Sequence, residues 1–253
     1  MGSIKRYIEA AEAEEAMNEW ISNHVDLGVE EGDPEWEEAK LEYLSGAALE
    51  PEWMYDDFAL ELERLTGDDQ AFASFSKQMT DLESELPDLP SDALLKMTYS
   101  YSVTLMETCL GDMIKSVVLS EEHYLKNAIK NVDELKDIKL SLMDVYSDND
   151  IVKKIVLITL SEFLYHNIAK IVPVYSAVLG EKPPENVKNN MRTVILITLI
   201  RHDIVHRNGV DKDGQPVELN KAVVLQAMND IHNFVNHMKK FIDAVWFNRN
   251  AIP

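Results

Sequence analysis

One cysteine, Cys109, is all that 253 residues provide, so the chain can form no internal disulfide. That scarcity fits a reducing compartment. Long apolar runs are missing too. The stretch from Val194 to Ile200 is among the longest, and it falls far short of the roughly 20 residues that a membrane-spanning helix needs. Met1 to Arg6 leads straight into an acidic stretch without the apolar core of a secretory signal. No alternating strand pattern, internal repeat, glycine-rich phosphate loop or H-E-x-x-H metal motif is visible. These absences give the expectation of an all-α, soluble, cytoplasmic protein with no membrane association.

Positive charge is scarce, but unevenly so. The formal net charge is −21. Residues 1–90 hold 25 acidic and 5 basic residues, which leaves 20 acidic and 19 basic residues in the remainder. Acidity of the whole chain would argue against a nucleic-acid partner, because binding a phosphate backbone needs local positive charge. The split removes that objection for the C-terminal part, which is close to neutral.

The N-terminal stretch reads as short acidic helices joined by turns. Tyr7 to Val25 is rich in Ala and Glu. Gly32-Asp33-Pro34 and Gly67-Asp68-Asp69 read as breaks. Trp20, Trp36, Trp53, Tyr43, Tyr55 and Phe58 are too many aromatics for a purely solvating tail, so a folded or partner-ordered region is expected. Leu86-Pro87-Asp88-Leu89-Pro90 marks the expected domain boundary, since two prolines interrupt helix and strand alike. Residues 1–90 thus form one region and 91–253 a helical bundle.

Within the bundle, Ser91 is a candidate N-cap, followed by Leu94, Met97, Tyr101 and Leu105 at helical spacing. Ser120-Glu121-Glu122 opens a shorter polar helix. Asp148-Asn149-Asp150 precedes a helix in which Leu160, Leu164, Ile168 and Ile171 share a face up to Pro173. A helix starting between Glu185 and Asn190 is apolar almost all round, as expected of the central buried helix. Asn208-Gly209 stops it and Asp213-Gly214 turns the chain. The last helix carries Val224, Met228, Ile231, Val235, Met238, Ile242 and Val245 in one seam suited to a bundle.

The chemistry concentrates in Arg201-His202-Asp203-Ile204-Val205-His206, directly after that apolar helix, with Arg207 and Asn208 following. His202 and His206 are four apart and share a helix face. Arg201 and His206 are five apart, roughly 140° around the axis. They can meet on one ligand near a frayed helix end, or where a second copy of the helix approaches on a two-fold axis. A metal held by His202 and His206 would have Asp203 as nominal third ligand, but Asp203 points about 100° away from His202. The bland alternative is that these cations complement the helix dipole.

An Arg, a polar residue and then a His, at the end of a bundle helix, resembles the signature of the HEPN superfamily. The run through Asp213-Gly214 is similar to its RiboL-PSP-HEPN branch, and Glu107 within Leu105-Met106-Glu107-Thr108 matches that branch's early-helix Glu. The resemblance covers roughly residues 91–247 and does not extend to the first 90. It implies a HEPN-like bundle and a metal-independent endoribonuclease that cleaves single-stranded RNA by 2′-OH attack. It further implies a homodimer with a composite active site and a toxin or defence (abortive-infection-type) role, with a regulatory partner or antitoxin.

In that frame His206 transfers protons near neutrality. Arg201 contacts the phosphate with its planar fork, and His202 orients the pair or donates a second proton. Asn208, Glu107 and Asp203 are secondary candidates. RNA supplies its own nucleophile, so no cofactor or metal is expected. His24, His123 and His166 receive no role, His232 and His237 read as packing residues, and Cys109 as a small core residue. The alternative is a non-catalytic HEPN-like RNA-binding or interaction scaffold. The acidic N-terminal region could regulate the site by mimicking a polyanion or by binding an activator.

Overall fold

The computed structural model describes residues 17–18, 20–22, 24–26, 28–45, 62, 65–136 and 138–250. Most of the calls on Tyr7 to Val25, and those on Trp53, Tyr55 and Phe58, lie outside them. Among the described residues the chain is helical, with no strand beyond an isolated bridge between Val210 and Pro216. The all-α bundle expected from periodicity is what forms.

The helices are α1 (Pro34–Ser45), α2 (Asp68–Glu85), α3 (Asp92–Ser120), α4 (Glu122–Asn131), α5 (Asp133–Lys136) and α6 (Leu142–Ser147). They continue as α7 (Ile151–Ser161), α8 (Ile168–Leu179), α9 (Glu185–His206) and α10 (Lys221–Asn250). Pro34 opens α1, where its missing N–H costs nothing. Ser91 caps α3 as its sequence position suggests, its hydroxyl accepting from the Leu94 N–H at 3.2 Å.

The central helix is α3, not α9. It packs against α2, α4, α7, α8, α9 and α10. Its buried arc includes Leu95, Tyr99, Val103, Met106, Leu110, Met113, Ile114 and Val117. Burying each such side chain stabilises the fold by about 1.5–3 kcal/mol. Met97 and Tyr101, assigned to that stripe by spacing alone, are exposed. On α9, Val194 and Ile197 face the core while Leu196 is exposed, so the helix is one-sided despite its apolar composition. In the seam of α10, Val224, Met228, Ile231, Val235, Met238 and Ile242 are buried, and Val245 is half-buried against the same core.

Two departures matter for the site. The helix expected to run through Leu164 to Pro173 is broken: α7 ends at Ser161, α8 begins at Ile168, and Pro173 lies inside α8. The break is held by Tyr165, whose hydroxyl donates to the Leu160 carbonyl at 2.6 Å. Its ring lies over Gly111 of α3, where a Cβ would stand only 3.1 Å from it. Gly111 therefore lets the 162–167 turn sit directly on the central helix.

The second departure concerns the expected boundary at 86–90. Helix α2 lies before it, yet Ala71, Phe75, Met79 and Leu86 belong to the main core. Residues 17–39 are different. Ile21, Val25, Trp36 and Ala39 form a small apolar cluster of their own, separate from that core.

Candidate active site

The last two turns of α9 present Arg201, His202 and His206, and the helix ends immediately afterwards. Asn208 adopts the left-handed conformation (φ 55°), and the Gly209 N–H turns back to the Asp203 carbonyl at 3.0 Å. The rings of His202 and His206 stack with centroids 4.9 Å apart, as their four-residue spacing dictates.

One carboxylate gathers these side chains. Oδ2 of Asp26 accepts from Arg201 Nη1 and lies 2.8 Å from His206 Nε2 and 3.6 Å from His202 Nδ1. Its other oxygen, Oδ1, is 2.5 Å from His166 Nε2, whose Nδ1 is 2.6 Å from Glu107 Oε1. Asp26, His166 and His202 are buried, whereas the His206 side chain keeps 35% of its exposure. The result is a continuous line of polar contacts from Glu107 through His166 and Asp26 to Arg201 and His206.

Local geometry fixes Asp26 in this position. Its N–H donates to Glu35 Oε1 at 2.8 Å, and Glu35 Oε2 reaches His206 Nδ1 at 3.3 Å. The Glu30 N–H donates to Asp33 Oδ2 at 3.0 Å, closing the turn before α1. Gly28 takes a positive φ of 100°, and an added Cβ there would meet Leu199 of α9 at 3.1 Å. Further along, Asp33 lies 3.5 Å from Arg207, and Glu30 pairs with Lys212.

The electrostatics follow from this crowding. Burial alone would raise the Asp26 pKa, but its partners His166, His202 and Arg201 outweigh that effect and hold it far below the usual carboxylate range. For His166, burial opposes the charged form, and the carboxylates of Asp26 and Glu107 overcome it. Its pKa rises to about 9, so the ring is a cation at neutral pH.

The structure thus brings together Arg201, His202 and His206, with Glu107 joining through His166. Arg201 and His206 meet at the helix end within one chain, so their five-residue offset does not by itself require a second copy. Asp203 turns away, its carboxylate 3.1 Å from Arg207. Asn208 shapes the helix end. His166, given no role by sequence, is central to the cluster. Its position depends on the 162–167 break, which the shared face of Leu160, Leu164 and Ile168 conceals. Asp26 and Glu35 carried no local signal beyond the acidity of their region. The other histidines behave as packing or surface residues: His24 stacks on Trp20, and His232 lies against Phe72 and Phe75.

Asp26, Glu35, His202 and His206 each place a possible metal-ligating atom within 4.8 Å of the others. A cation there would have to displace or face the Arg201 guanidinium and the His166 cation, both already against the Asp26 carboxylate. A second acidic group, Asp68, Asp69 and Asp243, surrounds the buried Lys239 ammonium, which offsets part of its charge. Beside the cluster lies a cavity of about 220 Å³, lined by Gly28, Leu199, His202, Asp203 and Arg207 among others. No helix of the described residues is long and apolar enough to cross a membrane.

Comparison with protein-family models, with curated proteins and with solved structures finds no match.

Proposed function

We propose that the chain is a metal-independent endoribonuclease of the HEPN type, acting on single-stranded RNA through Arg201, His206 and His202. The observation that carries this reading is the convergence of Arg201 and His206 on a single anionic oxygen, with two further histidines within reach. Transesterification of RNA needs this combination of a fixed cation and a titratable base around one phosphate.

In the proposed step His206, the most open of the group, takes the proton from the ribose 2′-OH. The O2′–P bond forms as the P–O5′ bond breaks, and a protonated histidine returns a proton to O5′. The products are a 2′,3′-cyclic phosphate and a 5′-hydroxyl. Arg201 neutralises charge building on the phosphoryl oxygens. His166, kept charged by Glu107, adds a second cation on the opposite side. His202 supports His206 by stacking. A homodimer and a toxin or defence role belong to the same proposal. Exposed Leu196 and Val205 on α9 offer apolar surface for the dimer.

A scaffold reading draws on one observation: Asp26 already pairs with Arg201, His166 and His206, as in a polar cluster that merely pins the N-terminal segment. One assay separates the two. Full-length protein and its Asp26→Asn variant are incubated with RNA in EDTA, together with Arg201→Ala and His206→Ala. Cleavage of ribose but not 2′-deoxy substrate, lost in both alanine variants, supports the nuclease. Folded protein that leaves RNA intact in every case supports the scaffold.

A further inference from the structure

Asp26 is a poor match for the site it fills. A carboxylate has two oxygens, and both are used. Arg201 Nε remains buried with no hydrogen-bond partner among the described residues, and His202 Nδ1, on a side chain only 4% exposed, stands 3.6 Å from Asp26 Oδ2, beyond good hydrogen-bonding distance. Buried donors without acceptors are unusual and costly. A phosphodiester presents the same single charge on two oxygens, but set on a tetrahedral centre rather than a planar one, so it can reach donors that the flat carboxylate misses.

The hold of the segment on the bundle has a distinct character. The small apolar cluster of Ile21, Val25, Trp36 and Ala39 is closed on itself and does not merge with the main core. What joins it to α9 and the following loop is mostly ionic: Asp26 to Arg201, Glu35 to His206, Asp33 to Arg207 and Glu30 to Lys212. Four carboxylates in ten residues thus track three cations and the His206 ring of the candidate site and its rim. The exposed Glu30–Lys212 pair is screened by salt and the buried Asp26–Arg201 pair much less, but all four contacts are exchangeable for another polyanion, unlike a shared hydrophobic interface.

We infer that residues 26–35 are a tethered competitor, with Asp26 standing where a substrate phosphate binds, and that a phosphodiester strand displaces them. The inference rests on the reading of Arg201 and the histidines as a phosphate site, and it adds the regulation of that site. While the segment is docked, ligand affinity falls by the fraction of molecules that are open. Weakening the segment therefore tightens binding without altering the ligand's own contacts.

The test uses the full chain and a labelled 2′-O-methyl oligonucleotide, which carries phosphodiesters but lacks the attacking hydroxyl. Asp26→Asn removes the competing charge. Gly28→Val leaves every charge in place and pushes the turn off Leu199. Both variants are expected to bind the oligonucleotide at least about tenfold more tightly, which corresponds to about 1.4 kcal/mol. In wild-type protein, saturating oligonucleotide should speed hydrogen exchange at the amides of residues 25–36. That measurement decides the matter should either variant fail to fold.

Unchanged or weaker binding in folded variants, or unchanged or slower exchange in the wild-type segment, overturns the tethered competitor. The matching all-ribose strand keeps the two proposals apart. Tighter binding with no cleavage leaves the competitor standing and removes the nuclease. Cleavage at one common rate with no change in binding does the reverse.

Discussion

Asp26 and His206 are 180 residues apart in sequence, yet Asp26 Oδ2 lies 2.8 Å from His206 Nε2 in a part-buried contact. The same oxygen accepts from Arg201. Placing an N-terminal carboxylate there explains why so acidic a chain can carry a cationic centre. The negative charge is not a bystander, because part of it is folded onto the positive site.

Stability should fall on the alkaline side of neutrality. The pKa of His166 is raised from an ordinary 6.5 to about 9, so its contribution is fully present below pH 6.5 and lost as pH rises through 9. The shift corresponds to about 3 kcal/mol as an order of magnitude. The depressed pKa of Asp26 has the opposite sign: its contribution is present above about pH 4, the usual carboxylate range, and is lost only in strong acid. Unfolding temperature should therefore decline between pH 6.5 and 10, and this component should be missing in His166→Gln. Equal slopes in the two proteins would contradict the assignment.

Glu107→Gln should lower the His166 pKa, since one of the two carboxylates that keep the ring charged is removed. Titration of the histidine ring resonances by NMR reads this directly. A transition that stays near 9 would show that Glu107 does not hold the proton on His166. The same variant should reduce RNA cleavage without abolishing it, because Arg201 and His206 are untouched.

Much of the bundle was legible, and the reasons it was not wholly so are physical. The α10 seam and the Ser91 cap depend on local spacing and capping chemistry, which sequence displays. The centrality of α3 over α9 depends on how many neighbours surround a helix, which composition does not reveal. Arg201, His202 and His206 stand out because polar residues closing an apolar helix are conspicuous. His166 was hidden because the break at 162–167 is stabilised by tertiary contacts of Tyr165 with Leu160 and Gly111. Asp26 was one acidic residue among 25 in the first 90, and nothing local distinguished it.

Phe75→Ala tests whether α2 is part of the bundle. Phe75 is 2% exposed and sits in the main core. Its truncation should cost about 3–5 kcal/mol in global unfolding by denaturant. A loss under about 1 kcal/mol, far below the range for a buried Phe, would mean that α2 unfolds separately from the rest.

Lys239→Met should destabilise by a smaller amount. Lys239 is buried and meets Asp68 at 3.2 Å, Asp69 at 2.6 Å and Asp243, tying the start of α2 to α10. Because Asp69 and Asp243 are largely solvated, the loss should be about 1–2 kcal/mol rather than that of a fully buried pair. Equilibrium denaturation at low salt checks it, and a variant as stable as wild type would contradict this role.

The most direct test of the central claim is cleavage of a labelled single-stranded RNA in EDTA by the full-length Asp26→Asn protein. Product ends are identified, and Arg201→Ala and His206→Ala are tested in the same background. The predicted result is a 2′,3′-cyclic phosphate and a 5′-hydroxyl, formed only when both Arg201 and His206 are present. Intact RNA with folded Asp26→Asn protein, or cleavage that survives loss of Arg201 and His206, would contradict it.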